Sequence, residues 1–374
     1  MSRIMIVAGE TSGDLQGSSL VREILRRDPS AEIVGIGGPK MAESGMTCFY
    51  STDQMAVLGF TEVVRHLPFI RRVHAHLTHE LDARRPDLLI LIDYPGFNLW
   101  FAKQAKKRGI PILYYISPQI WAWGKNRVAK IARLVNKMAV IFDFEEKIYR
   151  NAGVDVTFVG HPLLNSLRFD WDRSRFLSAL GLTEDTRIFG LLPGSRPQEV
   201  KKLLPEMIQT YRRLKKSFPD LRAVVSQSLQ FEPSFYDFAL SKDLILTPQT
   251  HALMQNSHFM MVASGTATLE AALYGNPFAV VYKISELSYV IGKLLISVDH
   301  IGLVNIVAGK RIVPEFIQHD FTSKKMAPAI EKILSDVETY RRIQMDLSGI
   351  RKKLGSPGAS ARVAEMALSM VKRS

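Results

Sequence analysis

At 374 residues the chain exceeds what one hydrophobic core organises, and at roughly 150 residues per domain two domains are expected. Apolar residues at 47% and charged residues at 23% exclude a disordered chain, and the single cysteine, Cys48, excludes an internal disulfide and a multi-cysteine zinc site. Lys plus Arg at 49 against 36 acids gives a formal charge of +13, which favours a polyanionic partner: nucleic acid, an anionic membrane face or a phosphorylated substrate.

In chain order, short apolar runs alternate with amphipathic stretches. Arg3–Ala8 reads as a strand, Asp14–Arg27 as a helix, Glu32–Ile36 and Leu88–Ile92 as strands, Phe97–Arg108 as a helix and Ile112–Ile116 as a strand. The rhythm continues through Met138–Phe142 and Val156–Val159. After a charged connector near residues 165–175 it restarts with the Ile188–Leu192 strand, the Val200–Phe218 helix and the Leu221–Ser226 strand. Phe259–Ala263, the helix Thr268–Tyr274 and Phe278–Tyr282 follow, and Ala329–Lys372 is helical by pattern, broken at Gly355–Gly358. Such alternation predicts parallel sheets with helices on both faces, and two doubly wound units in tandem, with a ligand cleft between them. No apolar run nears the ~20 residues of a membrane span. The Met1 end runs straight into a strand with no signal peptide, so a cytosolic, reducing location is expected.

Several strand ends carry chemistry. Ser264-Gly265-Thr266-Ala267-Thr268 follows a strand and turns into a helix bearing Glu270. Small residues there let backbone N–H groups approach a diphosphate, and Glu270 suits a ribose diol; a helix start capped by its own Ser264 or Thr266 is the alternative. Arg196, after Pro193-Gly194-Ser195, is placed to pair with a phosphate. Gly9-Glu10-Thr11-Ser12-Gly13-Asp14 is neither a dinucleotide fingerprint nor a Walker loop. It suits a polyhydroxylated ligand, or else Asp14 caps a helix. Asp93 closes Leu88–Ile92 and is a candidate general base, although an ordinary carboxylate near pKa 4 is a feeble one; a turn before Pro95 is the plainer role. Trp121 and Trp123, after Ser117-Pro118, either stack on sugars or fill core.

Other features weigh less. Asp170-Trp171-Asp172 has the form of a metal-binding pair but sits in the connector, and His74, His76 and His79 read as part of a basic helical face. Phe60, Val63, Val64, Leu67, Phe69 and Ile70 make an apolar stripe among arginines, with Pro68 expected to kink a helix there. The stripe enters a membrane interface, lines a site for acyl chains, or packs on its own sheet.

The strings Ala8–Asp14, Gly38–Met41, Ser117–Trp123, Gly160–Pro162, Leu192–Arg196 and Ser264–Glu270 together closely resemble the lipid-A-disaccharide synthase family, from residue 8 to about residue 318. The resemblance implies a GT-B glycosyltransferase: two doubly wound Rossmann-like domains facing across a cleft, acceptor-binding over 1–168 and UDP-sugar-binding over 169–344. A C-terminal helix within 345–374 would pack back or exchange between copies. It further implies transfer of 2,3-diacylglucosamine from UDP-2,3-diacylglucosamine to 2,3-diacylglucosamine 1-phosphate (lipid X), giving a β-1,6 disaccharide and UDP with inversion, without metal or cofactor. On the matching positions Asp93 is the base, Arg196 and Glu270 bind UDP, Asn305 is another donor-site position, and Glu10 and Ser12 lie at the first domain's cleft; Arg196 also acts in catalysis as cationic help for the departing diphosphate, and Ser195, Ser264, Gly265 and Thr266 belong to the nucleotide-binding turns read from the residues. Asn165, Asp143, Gly96 and Val304 depart from the family pattern. The expected partners are the two acylated sugars, the anionic cytoplasmic face of the inner membrane and a second copy as homodimer. No nucleic acid is expected, because the chain lacks an interleaved aromatic–basic sheet motif. Another UDP-sugar GT-B protein, such as a 2-epimerase, would share the nucleotide site without the acyl contacts.

Overall fold

The structure, a computed structural model, describes residues 1–55, 60–118, 127–239, 241, 243–285 and 300–371, with side chains for all of these except 60–66 and 127. Two compact units emerge, Met1–Asn165 with Leu354–Ser374, and Ser166–Lys353. The limits drawn from sequence at 168 and 344 therefore move to 165 and 353.

In the first unit β1 (Arg3–Ala8), β2 (Glu32–Ile36), β3 (Thr47–Tyr50), β4 (Leu88–Ile92), β5 (Ile112–Tyr115), β6 (Lys137–Val140) and β7 (Asp155–Phe158) form one sheet. Their order is β3-β2-β1-β4-β5-β6-β7, with every pair parallel. Every side chain of β4 is fully buried, which is why its Leu-Leu-Ile-Leu-Ile run lacks alternation: helices cover both faces of a parallel strand. The second unit repeats the pattern with β8 (Arg187–Leu192), β9 (Leu221–Ser226), β10 (Leu244–Thr247), β11 (Ser257–Ala263), β12 (Phe278–Tyr282) and β13 (Glu315–Ile317). Its order is β10-β9-β8-β11-β12-β13, again all parallel.

Each sheet grows outward in both directions from its first strand. The direction reverses between β1 and β4 in the first unit and between β8 and β11 in the second. At such a switch point the connecting helices leave on opposite faces and open a crevice beyond the strand carboxyl ends, where doubly wound sheets bind ligands.

Helix Phe60–Arg84 runs unbroken through Pro68 and seats Val73, Leu77 and Leu81 in the first core. Their burial keeps the helix continuous past Pro68, which removes only one internal hydrogen bond. Phe69 and Ile70 pack against that core, Phe69 edge-on to Tyr50 at 6.0 Å between ring centroids, so these two members of the stripe are sheet-packing residues. Leu67 is 42% exposed, and the side chains of Phe60, Val63 and Val64 lie outside the described residues. His74 is buried and stacked on Trp100 at 3.6 Å, not part of a solvated basic face, and burial pushes its imidazole pKa down. Asp172 caps the helix Arg173–Ala179 by accepting from the Arg175 N–H at 2.9 Å. Among the described residues no helix is long and apolar enough to cross a membrane.

The last helix, Ala359–Val371, returns to the first unit and packs beside helix Thr11–Arg27, burying Val363, Ala364 and Ala367. Arg362 fastens the return: its guanidinium donates to Val159 O at 2.7 and 3.0 Å, to Ser356 O at 2.6 Å and to Pro357 O at 2.9 Å. Asn165 accepts from the Gly358 N–H at 2.8 Å, a use for the amide at a position that departs from the family pattern.

Candidate functional site

In the first unit the switch point sets two loops side by side, since Ala8 of β1 pairs with Ile92 of β4. Gly9 and Glu10 follow β1; Asp93 and Tyr94 follow β4. Asp93 and Tyr94 have φ of 46° and 47°, a left-handed conformation that costs a residue with a Cβ energy unless neighbours hold it. The neighbours are explicit. The Asp93 carbonyl accepts from the Tyr114 hydroxyl at 2.6 Å and the Asn98 amide at 2.7 Å, and its N–H donates to Tyr115 O at 3.1 Å. Tyr94 lays its ring over Gly9, where any Cβ would overlap it, and donates its hydroxyl to Met55 O at 3.1 Å. Burial, reinforced by the Glu10 charge, raises the Asp93 carboxyl to about 6. The side chain expected to be a feeble base is thereby lifted toward neutrality.

Glu10 precedes the helix Thr11–Arg27, and Glu10 and Ser12 are exposed at this crevice. Asp14 does not cap its own helix. Its carboxylate accepts from the N–H groups of Gly38, Lys40 and Met41 at 2.9, 3.2 and 3.0 Å, capping the neighbouring helix Pro39–Glu43. Asp14 is thus consumed by structure while Glu10 stays available. Trp121 and Trp123 lie outside the described residues.

The second switch point lies under a cavity of about 780 Å³. Its walls bring together Gly194, Ser195 and Arg196 after β8 with Ser264, Gly265, Thr266 and Glu270 after β11. Gly265 has φ of 152° and open space where a Cβ would sit, so a ligand can approach its backbone closely. Among the described residues the N–H groups of Gly265, Thr266 and Ala267 have no acceptor, whereas that of Thr268 donates back to Gly265 O. Free N–H groups at the head of the helix Ala267–Tyr274 make an anion cradle. Ser264 and Thr268 spend their hydroxyls on Ile301 O and Gly265 O, at 3.2 and 2.8 Å, so the cradle works through backbone. Arg196 is mostly exposed and loosely tied to Glu199 at 3.4 Å, a surface pair weak enough for a phosphate to replace.

A family model described as lipid-A-disaccharide synthetase matches residues 4–370. The chain is 45% identical to the lipid-A-disaccharide synthase of Syntrophus aciditrophicus (strain SB), over 99% of this chain and 98% of that relative. It is 43% identical to that of Geobacter sulfurreducens, over 99% and 97%. The chain belongs to the lipid-A-disaccharide synthase family. It is a glycosyltransferase of GT-B architecture, and solved structures of that architecture resemble it throughout. A putative UDP-N-acetylglucosamine 2-epimerase from Listeria monocytogenes matches with a TM-score of 0.65 at 14% identity, over 100% of this chain and 97% of that one. The calicheamicin glycosyltransferase CalG4 matches with 0.62 at 14%, over 100% and 99%. At such identities these likenesses show the fold alone.

For a lipid-A-disaccharide synthase family member, one expected donor contact needs correction. Asn305 is fully buried, and its amide is saturated: Nδ2 donates to Val313 O and Glu315 Oε1 at 2.9 and 2.8 Å, while Oδ1 accepts from the N–H groups of Ile312 and Val313 at 2.8 and 3.1 Å. An amide makes four such bonds, so none remains for a ligand, and Asn305 shapes the loop before β13 instead. Conversely, the cavity is lined by residues that sequence reading missed: Gln227 after β9, and Gln249 and His251 after β10. The signal was the Leu244–Thr247 run before Pro248, a short half-buried edge strand whose loop opens on the same crevice.

Proposed function

We propose that this chain makes the β-1,6-linked disaccharide by a single inverting displacement, with Asp93 as base, and with Arg196 and the Gly265–Ala267 N–H groups stabilising the departing UDP. The acceptor 6-hydroxyl oxygen attacks the anomeric carbon of UDP-2,3-diacylglucosamine on the face opposite the nucleotide. As that bond forms, the hydroxyl proton passes to the Asp93 carboxylate. The bond from the anomeric carbon to the β-phosphate oxygen breaks, and the electron pair leaves with UDP. One attack converts an α-linked donor into a β-linked product. A carboxyl at about 6 remains ionised at neutral pH while being a better proton acceptor than an ordinary aspartate. Fixed N–H dipoles and a guanidinium at the diphosphate act where negative charge grows.

The observation that carries this reading is the cavity of the second unit, where the Arg196 turn, a cradle of unpaired N–H groups and the Glu270 carboxylate line one space. In that order they match a diphosphate followed by a ribose. Acylated substrates and a charge of +13 support work at the anionic cytoplasmic face of the inner membrane. The test is mass spectrometry of products from purified protein given UDP-2,3-diacylglucosamine and lipid X. The disaccharide 1-phosphate plus UDP is expected. Turnover of unacylated UDP-N-acetylglucosamine in place of the diacylated donor would point to a 2-epimerase-type activity and overturn the reading.

A further inference from the structure

Among the described residues two acid–base pairs face the cavity of the second unit. Arg196 with Glu199 lies at the diphosphate end. The other joins His251, in the first turn of helix Thr250–Asn256, to Glu270, in the first turn of helix Ala267–Tyr274: His251 Nε2 stands 3.5 Å from Glu270 Oε2, and both residues line the space. We propose that His251 is a positioning residue for ribose recognition, its imidazole orienting the nearby Glu270 carboxylate so that this chain distinguishes ribonucleotides from 2′-deoxyribonucleotides. The proposal rests on the reading that the cavity takes UDP and deepens it.

The imidazole is itself held. The hydroxyls of Ser226 and Thr250, 2.6 Å apart, tie the residue before His251 to the end of β9. The Tyr274 ring lies 6.2 Å from the imidazole, centroid to centroid, and is anchored by its hydroxyl donating to Arg168 O at 2.8 Å. A glutamate alone has several side-chain rotamers, and only some aim a lone pair at a diol. The imidazole, 3.5 Å from one Glu270 oxygen, stands at ion-pair distance, restricts the carboxylate's rotamers and leaves the other oxygen to accept from ribose. Preorganisation of this kind raises affinity by lowering the ordering cost of binding. Glu270 follows the N–H cradle within one helical turn, and in the nucleotide the ribose is joined to the α-phosphate by a single ester bridge, so carboxylate and cradle are neighbours in the site as diol and phosphate are in the ligand.

Calorimetric titration of the full chain with UDP and with 2′-deoxyuridine 5′-diphosphate tests this in wild type, His251→Ala, His251→Gln, Glu270→Ala and the double alanine variant. Wild type should prefer UDP by about tenfold or more, the scale of one charge-assisted hydrogen bond. His251→Ala should cut that preference to about threefold or less by weakening UDP and sparing the deoxynucleotide, and His251→Gln, which keeps an N–H donor, should restore most of it. With Glu270 already removed, loss of His251 should have no further effect on the preference. Equal weakening of both nucleotides in His251→Ala, a preference unchanged in both His251 variants, or a further drop in the double variant overturns the proposal. Failure of UDP to bind the wild-type chain overturns the nucleotide reading itself.

Discussion

At the scale of single residues the decisive feature is a carboxylate whose surroundings oppose its charge. An aspartate raised from 3.8 to about 6 is ionised at a cost of about 3 kcal/mol in the folded state, at 1.36 kcal/mol per pKa unit. The sign follows from proton linkage: the folded chain binds this proton more tightly than the unfolded one, so this contribution to stability grows as pH falls from about 6 toward 4 and is unfavourable above 6. Asp93→Asn removes the charge, keeps the shape and places a residue more tolerant of left-handed backbone at φ 46°. It should raise unfolding stability at pH 8 by roughly 1–3 kcal/mol, with the gain vanishing below about pH 4, as chemical denaturation across that range will read. In the same protein turnover should fall by about 100-fold or more while UDP affinity stays near wild type, and the wild-type rate should decline below pH 6. Turnover retained in Asp93→Asn removes it from the base role.

At the scale of elements, the switch points explain why widely spaced strings converge. The strand alternation in the sequence is enough to expect two parallel sheets, because buried parallel strands such as Leu88–Ile92 and Phe259–Ala263 read as unbroken apolar runs. Short edge strands such as Thr47–Tyr50 and Glu315–Ile317 escape it: with three or four residues and partial exposure they carry no pattern. Three helices begin ahead of their apolar periodicity for a physical reason. Thr11–Arg27, Pro95–Lys107 and Pro197–Ser217 begin with polar residues or proline, so their first turns lie ahead of the apolar periodicity. Arg196 and the Ser264–Glu270 turn stand out in the sequence as strand-end polar residues and line one cavity, whereas the placement of His251 beside Glu270 and the saturation of Asn305 depend on contacts across separate elements. The loops at β1 and β4 are coupled by the Tyr94 ring lying on Gly9. Gly9→Ala should displace that ring, and with it the Asp93 turn, lowering kcat by about tenfold or more with UDP affinity unchanged, since a misplacement near 1 Å is enough for such a loss. Steady-state rates beside UDP titration check the split, and a loss confined to UDP binding would sever the coupling.

At the scale of the whole molecule, the first unit is completed by residues from the far end of the chain. Helix Ala359–Val371 buries Val363, Ala364 and Ala367 beside the first helix, and the Arg362 guanidinium satisfies three carbonyls from two chain segments, at Val159, Ser356 and Pro357. The chain must therefore finish the second unit before the first can close, or a helix from a second copy must take the same seat. Both routes rely on the same contacts, so Arg362 is a common anchor. Arg362→Met keeps much of the aliphatic stem but leaves those carbonyls without their charged donor, at a cost of about 2–4 kcal/mol. Denaturant unfolding should show that loss, and hydrogen exchange should locate it in Ala359–Val371 and in helix Thr11–Arg27 while β8–β11 of the second unit keep their protection. UDP binding, which the proposed function gives to the second unit's own residues, should survive. If exchange rose equally across both units, the C-terminal helix would be stabilising the chain as one cooperative body and not the first unit alone. Sedimentation of the same variant separates the two seats: an exchanged helix weakened at its anchor shifts the protein toward monomer, whereas a helix seated on its own chain leaves the assembly state unaltered.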